Sequence, residues 1–434
     1  MNGLHARIFA HKILGEWFSG TRYLEHIMHF NDTNLSLQEK RFVEFLIYQV
    51  IIHQRLLDHI VRRFYTRKPK KAIYLVLLMG SCEILLMHVK DHAALHSAVE
   101  LAGSIDSRAK GFVNAVLRKV LAFRETDWQN IRENPDIPLG IRSGFPDWLI
   151  TRWTAQFGAE TSSLLQRLND PPRKMARIVR SGERERIISE LERLEILEGT
   201  DSYHSDYIYI KSWQPLLDHH MFQNGDIVAQ DVSAVFPLQF IAADHPESVA
   251  DVCCAPGGKL TALRQYCPSG TPIHGYDLNA HRLEQVQQTL SRLGIQDIPL
   301  KQADAARDAF PEYSHILVDA PCSGFGVIRK RSDLRWRRQP EDMQTLMQRQ
   351  HDILENISTY IKSGGMLVYS TCTFDEDENM GTVRRFLDAH PEFAIAPAST
   401  KHFPSELITA EGAIASFPHK HFCEGSFAIA LRKC

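Results

Sequence analysis

The sequence lacks any long uninterrupted apolar run. Its most hydrophobic stretch, Tyr74 to Val89, is broken by Gly80, Ser81 and Glu83 and falls short of the roughly 20 residues a bilayer-spanning helix requires. It predicts a buried helix, and no membrane partner is expected. The N-terminal residues are a polar and basic mix with no apolar segment ending in a small-residue cleavage site, so a cytoplasmic protein is expected. Paired CxxC spacing is missing as well: the eight cysteines, at 82, 253, 254, 267, 322, 372, 423 and 434, are scattered through 434 residues. A chain this long needs no covalent staples, so neither disulfides nor a bound metal is expected. There is no repeat at a fixed period and no low-complexity tract.

A strong charge imbalance is also absent, the formal net charge being −2. Averaged over the chain, this argues against a phosphate-rich partner, which needs concentrated Lys and Arg. The average hides a segregation: residues 1–130 hold 18 Lys and Arg against 12 Asp and Glu, and residues 62–71 read RRFYTRKPKK. A second basic run spans Arg329 to Arg338. Either run alone reads as a solvated surface, and its meaning depends on what lies beside it.

What is present is the composition of a folded protein, 44% hydrophobic and 24% charged, long enough for two or three domains. From Arg7 to about Phe123, apolar residues recur at helical spacing, as in Phe42, Phe45 and Leu46, then Leu56, Leu57, Ile60 and Val61. An all-helical domain over 1–127 is expected. Between Asp127 and Pro146 the breakers Pro135, Pro138, Gly140, Gly144 and Pro146 suit a linker. Residues 145–217 mix an amphipathic helix with strand candidates such as Tyr207–Ile210, a small α+β segment. From 218 to 434, short apolar strands alternate with helices: Ser248–Cys254, Ile273–Asp277, Ile298–Leu300, His315–Asp319 and Met366–Ser370. This alternation is the signature of a doubly wound, mostly parallel, Rossmann-like α/β sheet. One crossover helix is capped by Asn279, carries Leu283, Val286, Leu290 and Leu293 on one face and stops at Gly294.

Asp251-Val-Cys-Cys-Ala-Pro-Gly-Gly-Lys259 ends a strand and opens a helix, placing Gly257 and Gly258 where backbone turns tightly and approaches a ligand. The helix N-terminus favours an anionic group. Asp277, at the end of the next strand, has the position of a carboxylate that accepts from ribose hydroxyls. Asp304 and Asp319 follow the third and fourth strands, on the edge where open α/β sheets bind ligands. The pattern by itself leaves a nicotinamide dinucleotide open.

Cys254-Ala-Pro-Gly-Gly-Lys259, Asp319-Ala-Pro-Cys-Ser323 and Ser370-Thr-Cys-Thr373 together resemble the RNA cytosine-C5 methyltransferase family. The resemblance implies S-adenosylmethionine as cofactor, held by Cys253, Cys254, Ala255, Pro256, Gly257, Gly258, Lys259, Asp277, Asp304 and Asp319. Carbon 5 of cytosine is a poor nucleophile until a thiolate adds to carbon 6, so this chemistry requires a cysteine. Cys322 and Cys372 both lie just beyond predicted strands, and the residues alone do not order them. The resemblance assigns Cys372 as nucleophile and Cys322 to product release. Asp319 is placed to hydrogen-bond the cytosine N3 or amino edge, with Lys259 nearby. The target cytosine must be single-stranded or flipped out, and Arg329, Lys330, Arg335 and Trp336 are candidate RNA contacts.

In the first domain, Asp91-His-Ala-Ala-Leu-His-Ser-Ala-Val-Glu-Leu-Ala102 and Gly111-Phe-Val-Asn-Ala-Val-Leu-Arg118 resemble the helical RNA-binding domain of the antitermination factor NusB. That domain joined to this catalytic domain is similar to the Sun/Fmu type of bacterial small-subunit (16S) ribosomal RNA methyltransferases, which implies that RNA as substrate; a monomer is expected. The chain departs from the family at Leu260 and Ser332, and Pro171–Arg180 matches its Leu-Arg-Val-Asn-like pattern poorly. The same chemistry on transfer RNA or large-subunit RNA, and a non-catalytic RNA-binding assembly factor, are the competing readings.

Overall fold

The computed structural model describes residues 3–30 and 34–434, with the backbone alone for Gln129 and Arg132. The chain packs as two compact units.

The first unit comprises the chain through Asp170 together with Ile328–Arg338. Its five long helices are Leu4–Ser19, Leu37–Val61, Lys71–Leu85, Asp91–Ile105 and Lys110–Thr126. The second starts cleanly because Ser36 and Glu39 form a reciprocal cap, each side chain accepting the other's backbone N–H. Lys71–Leu85 is the helix expected from the apolar run. It is buried on every side from Leu75 to Leu85, which is why its sequence shows no polar stripe. Leu14, Val50, Leu57, Val76, Leu117 and Val120 join it in one core. Glu83 lies inside that core, and Arg7 donates to it from Nε at 2.9 Å. No described helix is long and apolar enough to cross a membrane.

Residues 127–146 are not the open linker their breakers suggest. They form two helical turns, Trp128–Glu133 and Leu139–Ser143, and bury Ile131, Ile137 and Phe145. The helices Asp147–Phe157 and Thr161–Asn169 also belong to the first unit. The division therefore falls at Pro171, whose adjacent Pro172 cannot continue a helix, rather than near residue 145.

The second unit, Pro171–Val327 with Gln339–Cys434, contains two sheets. The small one is built from β1 (Met175–Ile178), β2 (Leu197–Thr200), β3 (Tyr207–Ile210) and β4 (Ile227–Ala229), antiparallel in the order β2-β3-β1-β4. The large one comprises β5 (Val249–Asp251), β6 (Ile273–Asp277), β7 (Leu300–Gln302), β8 (Tyr313–Asp319), β9 (Ile361–Thr371), β10 (Phe393–Ala396), β11 (Ile414–Ser416) and β12 (Ser426–Lys433). Its order is β10-β12-β9-β8-β5-β6-β7, with β11 paired to β12. From β7 to β9 all pairs are parallel, and β12 adds antiparallel to β9, giving the mostly parallel sheet expected. Val249, Ile316, Leu317, Leu367 and Val368 are fully or almost fully buried, as strands covered on both faces require. The helix Ala280–Arg292 starts where Asn279 Oδ1 accepts from the N–H groups of His281 and Arg282, and it buries Leu283, Val286 and Leu290. After β5 the chain moves outward through β6 and β7, then returns to the other side of β5 as β8. The strand order thus reverses between β5 and β8, where a crevice opens beyond the carboxyl ends.

Candidate active site

β5 ends at Asp251, which is wholly buried. Its Oδ1 accepts from the Cys253 N–H at 3.3 Å, while Oδ2 has no hydrogen-bond partner among the described residues. Burial, reinforced by the negative charge of Asp319, pushes this carboxyl up to about 8. The chain then turns through the Cys253–Gly257 loop. Cys254 donates its N–H to the Tyr276 carbonyl at 2.8 Å, and Gly257 donates to the Cys254 carbonyl at 2.7 Å. Gly257 has φ +98°, the left-handed region that favours glycine, and a Cβ there would lie 3.2 Å from Val286. The helix Gly258–Tyr266 leaves from this turn. Burial raises both the Cys253 and Cys254 thiols, which leaves them as inert packing groups.

Asp277 closes β6 and is 4% exposed. It accepts the Ala255 N–H on Oδ2 at 3.1 Å and the Asn279 N–H on Oδ1 at 2.9 Å, with Arg282 3.6 Å from Oδ2. It therefore fixes the glycine loop while each oxygen keeps acceptor capacity. Asp304, beyond β7, pairs with Arg349 and accepts the Ala306 N–H at 3.0 Å. Burial alone would raise this carboxyl, but the Arg349 hydrogen bond and charge outweigh it and the net shift is downward.

Asp319 ends β8 beside β5. Lys259, in the first turn of the glycine helix, donates from Nζ to Asp319 Oδ2 at 2.7 Å, and Ser370 Oγ donates to Oδ1 at 2.9 Å. Burial works against the Lys259 ammonium, yet the charge and hydrogen bond of Asp319 raise its pKa above the ordinary value. Three residues after Asp319 comes Cys322; two after Ser370 comes Cys372. Their sulfur atoms are 3.3 Å apart. In this pair the Cys372 thiol is lowered, chiefly by the hydrogen bond with Cys322 and further by the Lys259 charge, against burial and Asp319. Cys322 is raised, first by that same hydrogen bond and then by burial. The surroundings of the pair thus favour negative charge on Cys372 over Cys322.

The Cys372 peptide is itself held: Gly326 donates to its carbonyl at 3.0 Å, and Gly425 donates to the Gly326 carbonyl at 3.0 Å. A Cβ on Gly326 would stand 1.9 Å from the Gly425 oxygen, so no larger residue fits.

The structure thus brings Asp251, Lys259, Asp319, Ser370, Cys322 and Cys372 to one crevice, with Asp277 shaping the loop on one side. The proposed RNA contacts fall elsewhere. Residues 328–338 pack inside the first unit. Arg335 is 0% exposed, lies 4.0 Å over the Phe145 ring, and donates to Asn169 Oδ1 at 2.6 Å and to the Gly144, Leu168 and Ser332 carbonyls. Trp336 donates its indole N–H to the Ile51 carbonyl at 2.7 Å, and Arg329, 6% exposed, donates to the Asp170 carbonyl at 3.4 Å. Arg335 is an interior anchor, because a guanidinium buried with its donors satisfied is not presented to a ligand, whereas Trp336 is half-buried. Lys330 is exposed.

Two groups were not singled out by sequence. Arg177, fully buried on β1, donates to Gln230 and Gln265 side chains and to Thr261 Oγ1 at 2.9 Å. It ties the small sheet to the back of the glycine helix. Its signal was available as a lone cation inside Met175–Ile178, a strand buried at every position. Glu378 and Gln350 form a buried pair behind Cys322, with no local pattern to mark them.

Comparison with known proteins places this geometry. Residues 238–432 match the family model described as 16S rRNA methyltransferase RsmB/F, and residues 4–122 match the NusB family. The chain is 30% identical over 414 residues to a probable ribosomal RNA small subunit methyltransferase B from Bacillus subtilis, covering 92% of each. Among solved structures, a methyltransferase homolog protein from Pyrococcus horikoshii aligns with TM-score 0.57 at 25% identity, covering 68% of this chain and 97% of that one. NSun6 from Pyrococcus horikoshii, solved with SFG, has the same fold at TM-score 0.57 and 19% identity, covering 67% and 98%. The chain belongs to the RsmB/F family of S-adenosylmethionine-dependent RNA methyltransferases and carries a NusB-type helical domain ahead of its Rossmann-like catalytic fold.

Proposed function

We propose that the protein methylates carbon 5 of a cytosine in small-subunit ribosomal RNA through a covalent adduct between Cys372 and carbon 6. The observation that carries this reading is the pair of sulfurs 3.3 Å apart beside the Lys259–Asp319 ion pair. The relatives named as small-subunit ribosomal RNA methyltransferases support the choice of RNA, and the NusB-type domain agrees with it.

The crevice fits S-adenosylmethionine. Asp251 offers a buried oxygen with no partner, and Asp277 offers acceptor capacity for ribose hydroxyls. The fold-mate solved with SFG, an S-adenosylmethionine analogue, agrees with this. Bound there, the cofactor supplies an electrophilic methyl group. Cys253 to Lys259 line its methionine end, and Asp304 bounds the site beyond Asp277.

The chain's own residues do the rest. The Cys372 thiolate forms a bond to carbon 6, and the displaced electron pair makes carbon 5 enamine-like. Asp319, held by Lys259 and Ser370, is oriented to bond the N3 or amino edge of the cytosine as charge develops there. After methylation, carbon 5 gives its proton to a base, the carbon–sulfur bond breaks, and the electron pair returns to Cys372. A thiolate of lower pKa is the better leaving group, so the S–H of Cys322 on Cys372 speeds release. The substrate base must be single-stranded or flipped out, and the protein works as a monomer in the cytoplasm.

The test is incubation of the purified protein with small-subunit ribosomal RNA and S-adenosylmethionine, followed by digestion to nucleosides and mass spectrometry. A gain of 5-methylcytidine supports the reading; methylation on a different base, or on no RNA offered, contradicts it.

A further inference from the structure

We propose that Glu378 and Asn379, consecutive residues of one turn, are positioning residues that hold Cys322 and Cys372 in register, each acting on a different cysteine and so on a different step. The proposal rests on the covalent mechanism given above. The turn Asp377–Gly381 follows the Cys372 loop and is anchored from below, Tyr369 Oη donating to the Glu378 carbonyl at 2.7 Å.

Glu378 is 0% exposed. Its Oε1 accepts from the Ser323 N–H at 2.8 Å and from Gln350 Nε2 at 2.9 Å, and the same Gln350 Nε2 donates to the Pro321 carbonyl at 3.0 Å. The peptide groups on both sides of Cys322 are therefore tied to one carboxyl–carboxamide pair. Asn379, 4% exposed, holds the two residues that flank Cys372: its Oδ1 accepts from Thr371 Oγ1 at 2.6 Å, and its Nδ2 donates to the Thr373 carbonyl at 3.1 Å. Ser323 Oγ donates to Thr373 Oγ1 at 2.9 Å and joins the two loops directly. Burial raises the Glu378 carboxyl against the bonds from Ser323 and Gln350, and Oε2 has no partner among the described residues. Glutamine keeps an accepting oxygen in that place and alanine removes it.

Because catalytic geometry tolerates little misplacement, loosening each cysteine disturbs a separate step. The experiment measures, in single turnover on small-subunit ribosomal RNA, the rate of methyl transfer and the rate at which denaturant-resistant protein–RNA complex disappears, with circular dichroism melting on every variant. Glu378→Ala is expected to slow disappearance of the complex roughly tenfold while methyl transfer changes much less. Asn379→Ala is expected to slow methyl transfer by about the same factor without accumulating complex. Glu378→Gln should restore wild-type partitioning, and Gln350→Met, which cuts the tie to Pro321, the brace on Glu378 and the bond accepted from Thr382, should show a weaker form of the Glu378→Ala imbalance. Equal loss of both rates in every folded variant, or wild-type partitioning in Gln350→Met and Glu378→Ala, overturns the proposal. Should Glu378→Ala fail to fold, Gln350→Met decides alone. Cys322→Ala run alongside separates the two levels of inference: if it accumulates no complex, the covalent mechanism fails; if it does and neither Glu378→Ala nor Gln350→Met does, the positioning role alone fails.

Discussion

Lys259 Nζ lies 2.7 Å from Asp319 Oδ2, joining the first turn of the glycine helix to the end of β8 across the point where the strand order reverses. One ion pair therefore sets the distance between the glycine loop and the strand that leads to Cys322. Asp319→Ala leaves an ammonium largely enclosed without its carboxylate, and Ser370 Oγ without its acceptor. Methyl transfer should fall by about 100-fold or more. The loss in unfolding free energy should be about 2 kcal/mol. Denaturant titration beside a radiolabelled methyl-transfer assay separates the two effects.

The pH dependence of methyl transfer should report Cys372. Its reactive form is the thiolate, so the rate rises with pH through a pKa below that of an ordinary thiol, the direction set by the Cys322 hydrogen bond and then the Lys259 charge. Cys322→Ala removes the S–H donor and moves the rising limb to higher pH. A pre-steady-state pH profile of adduct formation in the two proteins checks this.

Stability should carry a separate pH signature from Asp251. Its carboxyl is raised from 3.8 to about 8 in the folded protein, so between those values the native state binds more protons than the unfolded chain. By linkage, this contribution to stability is fully present at the acid end and is lost as pH rises to about 8. Asp251→Asn abolishes that component. Its melting temperature should fall less than that of the wild type between pH 5 and pH 8, as read by differential scanning calorimetry at about 0.1 M salt.

Arg335 is expected to matter for the fold of the helical unit. Replacing it by Ala strips donors from Asn169 and from the Gly144 and Leu168 carbonyls and empties the space over Phe145. A loss of about 3 kcal/mol is expected. The slope of log binding constant against log salt for RNA should not change, because a buried guanidinium releases no counterions from phosphate. Filter binding at several salt concentrations, with urea unfolding, tests both halves.

The parts legible in sequence were those whose signals are local. The alternating strands, the Asn279 cap with Gly294 beyond the helix, and the glycine loop between Asp251 and Lys259 each depend on residues close in the chain. Asp319, Cys322 and Cys372 were placed together because strand ends in an open sheet face one edge, and the resemblance to the methyltransferase family singled the two cysteines out. What was not legible depends on partners far away in sequence. Arg335 reads as a surface cation until Gly144, Leu168 and Asn169 close around it. Residues 127–146 read as a linker because Pro and Gly mark breaks, although Ile131, Ile137 and Phe145 between them are buried. Glu378 and Gln350 carry no pattern at all, since a buried carboxyl is intelligible only with the Ser323 and Pro321 peptides it helps to hold.

The measurement that tests the central claim most directly is covalent trapping. Wild-type protein, Cys322→Ala and Cys372→Ala are incubated with small-subunit ribosomal RNA and S-adenosylmethionine and run on denaturing gels. Cys322→Ala should accumulate a protein–RNA complex whose crosslinked peptide contains Cys372, while Cys372→Ala gives neither complex nor 5-methylcytidine. A complex formed by Cys372→Ala through Cys322, or full methylation by Cys372→Ala, would contradict the account.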